Sequence, residues 1–371
     1  MGAIFTSLAI PLIAENDTVI SKEQEKKILL KLKKFEFGLY MDVYSTLSLK
    51  QIDDTSRIIP LYSNSMWSND YRLNVVGLTV NYRAEKIRSN FTLQYGDVPM
   101  LLSKVEYQFV KNIRQANFGF KITKRTWIDM GFMLNPIGWE SSWPVLNTCL
   151  STASVGGYFE PGSYLGVRFS TQFNDKFEAR FYAGNPYSVA YDADTYVSVG
   201  CQLIYKPTPN LMILYANMAG FQSKFSEPDP RFRLYNNLVA YYDPFKWLNL
   251  TAQYDFAWQT NSHLGSDVSI LAYVNSGYLQ ATYRPLKWFA CSVKGEFYAD
   301  PNGFLSGVYD DGNGKERGLG TIGVTGGVEF KPIQIIYLRM ELRYVDADQK
   351  IYINSTAENQ GAITLTAGFK I

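Results

Sequence analysis

The chain is poor in the residues that most enzymes use to move protons or hold metals. It has one histidine, His263, and three cysteines, Cys149, Cys201 and Cys291, among 371 residues. No cysteine spacing makes a zinc site or a C-x-x-C redox pair. An odd count leaves at least one thiol unpaired, and no metal or other cofactor is called for. Charge is also scarce: Asp, Glu, Lys and Arg make up 19% of the residues, against about 25% in an average soluble protein. The 36 basic and 34 acidic residues nearly cancel, so the broad positive field that gathers nucleic acid is missing. No apolar run reaches the roughly 18 residues of a membrane-spanning helix.

In their place the chain carries aromatic residues, 15% of the total, with 27 Tyr and 23 Phe. Many recur with period two. Ile336, Leu338, Met340, Leu342 and Tyr344 alternate with Tyr337, Arg339, Glu341 and Arg343. Leu248, Leu250, Ala252, Tyr254, Phe256 and Trp258 alternate with Asn249, Thr251, Gln253 and Asp255. Successive side chains of a strand point to opposite faces, so each apolar set lies on one face. The alternating stretches run about 9–12 residues, enough to cross a bilayer as a tilted strand. About 16 such segments can be drawn, from 35–47 to 361–371, with the eleventh and twelfth at 247–258 and 268–284.

The connectors alternate in length. "RAEK", "TKR", "NDK", "KPTPN", "DPFK", "RPLK" and "KPIQ" are short, while 48–71, 97–113, 135–162, 299–318 and 346–360 are long. Transmembrane barrels put short turns on the periplasmic side and long loops outside. The short connectors share a punctuation seen in "YDPFKWLNL" (242–250) and "YRPLKWFAC" (283–291). Pro207, Pro244, Pro285 and Pro332 mark the turns, because proline lacks a donor for a central ladder. Tyr242, Trp247, Tyr283 and Trp288 then suit an aromatic belt at the bilayer edge. Strict alternation would aim both tryptophans inward, whereas a twist in the turn would carry them to the outer rim, which is the expected placement.

The fold expected is therefore all-β: a single closed antiparallel transmembrane β-barrel over 35–371. Residues 1–34 precede it. "MGAIFTSLAIPLIAEND" has the apolar stretch and small-residue end of a secretory signal without a basic n-region, and "SKEQEKKILLKLKK" reads as a periplasmic linker.

Three local patterns invite a chemical reading. "GLGTIG" (318–323) has dinucleotide-motif letters, but strand parity follows where a helix is required. "DDGNGKE" (310–316) fails a calcium loop at its first and last ligands. His263 in "QTNSHLGSD" has Ser262, Ser266 and Asp267 nearby in sequence only, which does not make a triad. More informative is the charge on the inward parity: Arg168, Glu178, Arg180, Lys294, Glu296, Arg339, Glu341 and Arg343. In a barrel of about 16 strands such positions line a lumen wide enough for water. With both signs present, little ion preference is expected. Loop 135–162, the third outer loop, is too apolar and aromatic for a freely solvated segment. With Trp139, Glu140 and Trp143, it either folds inward to narrow the pore or caps the mouth as a surface cluster.

Several stretches carry a family resemblance. "FGLYMDVYSTLS" is similar to an opening strand with Asp among aromatics. "MGFMLNPIGWES" runs a strand into Pro136, Gly138 and Glu140. "FEPGSYLGVRFSTQFNDKFEARFYAGNPYSVAYDADT" and "YKPTPNLMILYANMAG" continue the pattern. The chain resembles the OmpL-like beta-barrel porins of Gram-negative, Bacteroidetes-type outer membranes, over most of 35–220 and more vaguely beyond. The resemblance implies an outer-membrane porin and no catalytic residues. The function expected is passive diffusion of small hydrophilic solutes, with outer-membrane lipid as surroundings. The porins it resembles are commonly trimers, which leaves a homo-oligomer open. The competitors are a non-conducting barrel with a binding or structural role, an outer-membrane hydrolase using His263, and a soluble all-β carbohydrate binder.

Overall fold

In the computed structural model the alternating segments pair edge to edge and close on themselves. The structure describes residues 33–50, 57–102, 108–185, 196–222, 229–264, 267–310, 316–353 and 355–371. The signal-like segment expected over 1–34 falls, up to residue 32, outside the described residues. The first strands are β1 (Phe35–Ser48), β2 (Tyr71–Arg83), β3 (Ile87–Tyr95), β4 (Ile113–Lys121), β5 (Thr126–Leu134) and β6 (Ser163–Gln172). They are followed by β7 (Phe177–Gly184), β8 (Ser198–Thr208), β9 (Leu211–Phe221), β10 (Phe232–Phe245), β11 (Leu248–Leu264) and β12 (Asp267–Leu286). Next come β13 (Phe289–Asp300), β14 (Tyr309–Asp310), β15 (Glu316–Arg317), β16 (Leu319–Ile333), β17 (Ile336–Ala347) and β18 (Asn359–Lys370). β14 and β15 pair only with each other, as a small hairpin in an outer loop. The other sixteen described strands form one closed barrel, each neighbouring pair consecutive in the wall. β1 and β18 seal it antiparallel, from Tyr40 opposite Lys370 to Ser48 opposite Ala362. Closure leaves no unpaired strand edge to face lipid.

Period two becomes inside and outside. On β17 Leu338, Met340 and Leu342 are exposed on the outer surface, while Arg339, Glu341 and Arg343 are buried inside. The same division holds on β11, where Tyr254 and Phe256 face out and Gln253 and Asp255 face in.

The proline turns share one construction. On β10 the register shifts between Tyr242 and Phe245, so Asp243 and Pro244 stand opposite the single Asn249. Equivalent shifts place Pro207 on β8, Pro285 on β12 and Pro332 on β16 as extra residues. A bulge frees one residue from the ladder, so proline loses nothing there. The residue before each proline donates its amide to the preceding hairpin. Lys206 N bonds Lys176 O at 2.7 Å, Asp243 N bonds Asn210 O at 2.8 Å, and Arg284 N and Lys331 N bond the carbonyls of Trp247 and Trp288 at 2.7 Å. The rim is thus stitched hairpin to hairpin. The two tryptophans sit in two-residue turns, where strand parity no longer applies. Trp247 stacks on Phe245 at 4.8 Å and meets Tyr283 edge-on at 5.6 Å, and Trp288 meets Phe330 at 5.5 Å. Both rings are exposed on the outer surface, as are Tyr242 and Tyr283.

Two strands are longer than the sequence suggests. β11 and β12 stay paired up to Leu264 opposite Asp267, so His263 belongs to β11 and not to a loop. Interstrand hydrogen bonds need no lipid, and this hairpin continues outward past Trp258 and Tyr273.

Candidate functional site

The inside of the barrel is built from inward side chains and from loop 135–162. The loop has one short helical turn, Ser154–Tyr158, and a 3-10 turn, Pro144–Leu146. Several of its backbone groups are paired with the barrel wall. On one side Gln202 of β8 donates to Pro136 O (2.6 Å), Gly138 N donates to Asn237 of β10 (3.1 Å), and Trp139 N donates to Gln253 of β11 (3.0 Å). On the other side Leu150 N donates to the Glu341 carboxylate (2.7 Å). Arg339 donates to Pro144 O (2.7 Å) and Asn147 O (2.8 Å), and Lys294 donates to Ser151 O (2.6 Å). Trp143 donates from Nε1 to Gln94 of β3 (3.0 Å), and its ring lies 4.5 Å from the Arg114 guanidinium and 5.1 Å from the Tyr40 ring. The loop therefore runs across the interior and touches walls on both sides.

Part of the first outer loop lies over it. Tyr62 donates its hydroxyl proton to Gln360 O (2.8 Å) and Arg343 O (3.1 Å), and Asn64 donates to Leu150 O (2.9 Å). Ile59, Tyr62 and Met66 are buried there.

This packing sorts the eight expected lumen charges into two groups. Five of them, Lys294, Glu296, Arg339, Glu341 and Arg343, face inward but do not meet open water, since the loop covers them. Lys294 and Arg343 have exposures of only 0% and 1%. Lys294 pairs with loop residue Glu140 at 2.7 Å, Arg343 with Glu296 at 2.6 Å, and Arg339 with Glu329 at 2.6 Å. Glu296 also accepts from the Ser154 hydroxyl (2.8 Å). Burial makes each partner depend on the other, so removing one strands the other in a dry site. The remaining three, Arg168, Glu178 and Arg180, stand on β6 and β7 and make no described bond to the loop, although Arg180 donates to the loop anchor Gln202 at 2.9 Å. Arg168 shares Asp129 (3.3 Å) with Arg88 of β3, and Arg180 pairs with Glu178 at 2.7 Å. The side chains of Arg88, Arg168 and Arg180 keep 31%, 21% and 31% of their exposure, so this wall is the wetter one.

The three loop residues named from the sequence play different parts. Glu140 is buried as the partner of Lys294 and accepts from Ala153 N. Trp143 is buried against the wall. Trp139 keeps 37% of its exposure and lies 5.0 Å from Tyr241, an inward residue of β10.

Sequence reasoning missed several residues that seat the loop. Glu160 accepts from Gln253, beside Asp255, which also accepts from Asn237 (2.8 Å). Burial, then the Asp255 charge, pushes the Glu160 carboxyl well above its ordinary range. Burial likewise pushes the Cys149 thiol up to about 12. The one legible signal was Gly77, a glycine inside a strand, which marks close approach. A Cβ there would run into the Trp143 ring. The three cysteines are all free thiols.

Residues 34–371 match the profile of a family described as "Putative beta-barrel porin-2, OmpL-like". The chain belongs to this porin family. No curated protein matches the sequence. Solved outer-membrane barrels share the fold of the OmpL-like chain. The channel DcaP of Acinetobacter baumannii is 9% identical with a TM-score of 0.62, over 91% of this chain and 97% of its own. OmpF of Salmonella typhi, solved with daunomycin, is 11% identical with a TM-score of 0.62, over 91% and 97%. An anion-selective porin from Comamonas acidovorans is 11% identical with a TM-score of 0.59, over 91% and 99%. The OmpL-like barrel is thus an outer-membrane protein of porin architecture.

Proposed function

We propose that the barrel is a porin through which small hydrophilic solutes diffuse passively past a constriction formed by loop 135–162. The observation that carries this reading is the asymmetry of the interior. One wall is sealed to the loop by buried ion pairs, while the facing wall keeps half-exposed Arg88, Arg168 and Arg180. No catalytic residue is needed for such a role.

The charges that water reaches are not balanced. Arg88 and Arg168 share the single carboxylate of Asp129, whereas Arg180 is matched by Glu178. The carboxylates Glu140, Glu296 and Glu341 are engaged beneath the loop. The wetter wall therefore carries a small positive excess, which favours anions weakly through a narrow passage. The mixed inward charges alone predict little ion preference, and the uneven pairing supports a slight one for anions.

Purified protein refolded into planar bilayers should give stepwise conductance with a reversal potential displaced modestly toward anions in a salt gradient. A second reading is a barrel held shut, and the first outer loop stacked on the third through Ser63 and Asn64 favours it. Folded protein that inserts and gives no channel events rejects diffusion and leaves the closed barrel.

A further inference from the structure

The repeated turns carry a charge that the permeation path does not use. Six hairpin ends on the periplasmic rim each present an exposed lysine: Lys86, Lys124, Lys176, Lys206, Lys246 and Lys287. None of the six forms an ion pair among the described residues, in contrast to Lys331, which is held by Glu329 at 2.9 Å. Acids on this rim are fewer. Glu36 is taken by Arg83 at 2.8 Å, which leaves Glu85, Asp175 and Asp243, the last accepting only from the neutral amide of Asn249 at 3.0 Å. The lysines also have apolar neighbours that no other described part of the chain covers. Ile122, Phe173, Phe245 and Leu286 are about half exposed in the same turns, beside the outward rings of Trp247 and Trp288. An apolar side chain directed at acyl chains with an ammonium one or a few residues away is the arrangement in which lysine reaches the headgroup layer.

We infer that the periplasmic rim is a cationic collar that binds phospholipids of net negative headgroup charge in the inner leaflet of the outer membrane. The charge complementarity is that of phosphate diesters facing ammonium groups at the bilayer surface. The bulges support the collar, because the amide stitches between neighbouring hairpins hold the turns at one level. The collar is independent of whether the lumen conducts.

The test uses the full chain refolded into phosphatidylcholine vesicles containing spin-labelled phosphatidylglycerol or spin-labelled phosphatidylcholine. The motion-restricted fraction reports lipid held at the protein surface. Phosphatidylglycerol should associate about fivefold more strongly at low salt, the effect of one neighbouring lysine, and the preference should fall as salt rises. Replacing the six lysines by glutamine should bring the ratio to unity, and replacing them by arginine should preserve it. Heat-modifiable gel migration checks that each variant is folded. Should the glutamine variant not fold, the salt series on the parent and the arginine variant carry the same decision. Equal association of the two lipids with the parent overturns the inference. So does a preference that survives the glutamine changes. Loss of the preference to inorganic phosphate beyond chloride of equal ionic strength also overturns it, since free anions would then be the ligand.

Discussion

Replacing Lys294 by methionine should release loop 135–162 while leaving the barrel closed. Lys294 is fully buried and holds the loop twice, at Glu140 (2.7 Å) and at Ser151 O (2.6 Å). Methionine fills similar space without charge, so Glu140 is left buried with only the Ala153 amide as a described donor. Stranding one member of a buried pair costs about 3–5 kcal/mol. The wall of sixteen paired strands does not depend on that pair, so the cost falls on the docked state of the loop, from which Glu140 can escape to water. The released population should rise about 200- to 5000-fold. Cys149 reports this directly. It is free, buried in the loop, and has a thiol made unreactive by burial. In a background with Cys201 and Cys291 changed to alanine, maleimide labelling of Cys149 measures the released fraction when reclosing outpaces labelling. K294M should label faster by the factor above. The double variant E140Q/K294M removes both charges and should return most of the way to the parent rate. Labelling of K294M no faster than the parent, or a double variant as fast as the single one, would refute the reasoning.

Three further outcomes follow from the same geometry. Gly77→Ala should speed Cys149 labelling by displacing Trp143, at a cost of about 1–3 kcal/mol to loop docking, and an unchanged rate would mean that the Trp143 ring shifts without penalty. Docking should also depend on pH. A carboxyl with a raised docked-state pKa contributes stability that is complete at low pH and is lost as the pH rises from the ordinary carboxyl range through the raised value of Glu160. Labelling with a reagent insensitive to thiol ionisation should therefore be slower at pH 5 than at pH 9, with Glu160→Gln abolishing the difference. Finally, Asp129→Asn leaves Arg88 and Arg168 without their shared carboxylate and should move the reversal potential further toward anions, whereas a shift toward cations would show that these arginines do not meet the permeating ions.

The barrel wall was legible because lipid and water impose opposite demands on alternate residues. Leu338, Met340 and Leu342 against Arg339, Glu341 and Arg343 declare the two faces of β17 without knowledge of its neighbours. Alternation says that a side chain points inward, but not whether water or protein lies beyond it. That is why Lys294 and Arg343 could be read as lumen lining although the loop covers them. The seating of the loop was illegible for a related reason. The loop is held largely through its own backbone groups, as at Leu150 N and Pro144 O, and these have no signature in the side-chain sequence. The tryptophans of the repeat misfit the parity count because each sits in a two-residue turn, before the alternation of the following strand begins.

The anchors of the third outer loop impose an order on biogenesis. The loop spans 135–162, but the side chains that hold it stand at 294, 296, 339, 341 and 343, near the other end of the chain. Until β13 and β17 have joined the wall, the loop has neither its cations nor its carboxylates to bind. A growing barrel is therefore wide before it is narrow. On the proposed reading, an intermediate lacking β13 and β17 would hold the loop only by its Gln94, Gln202, Asn237 and Gln253 contacts and would leak where the finished barrel filters.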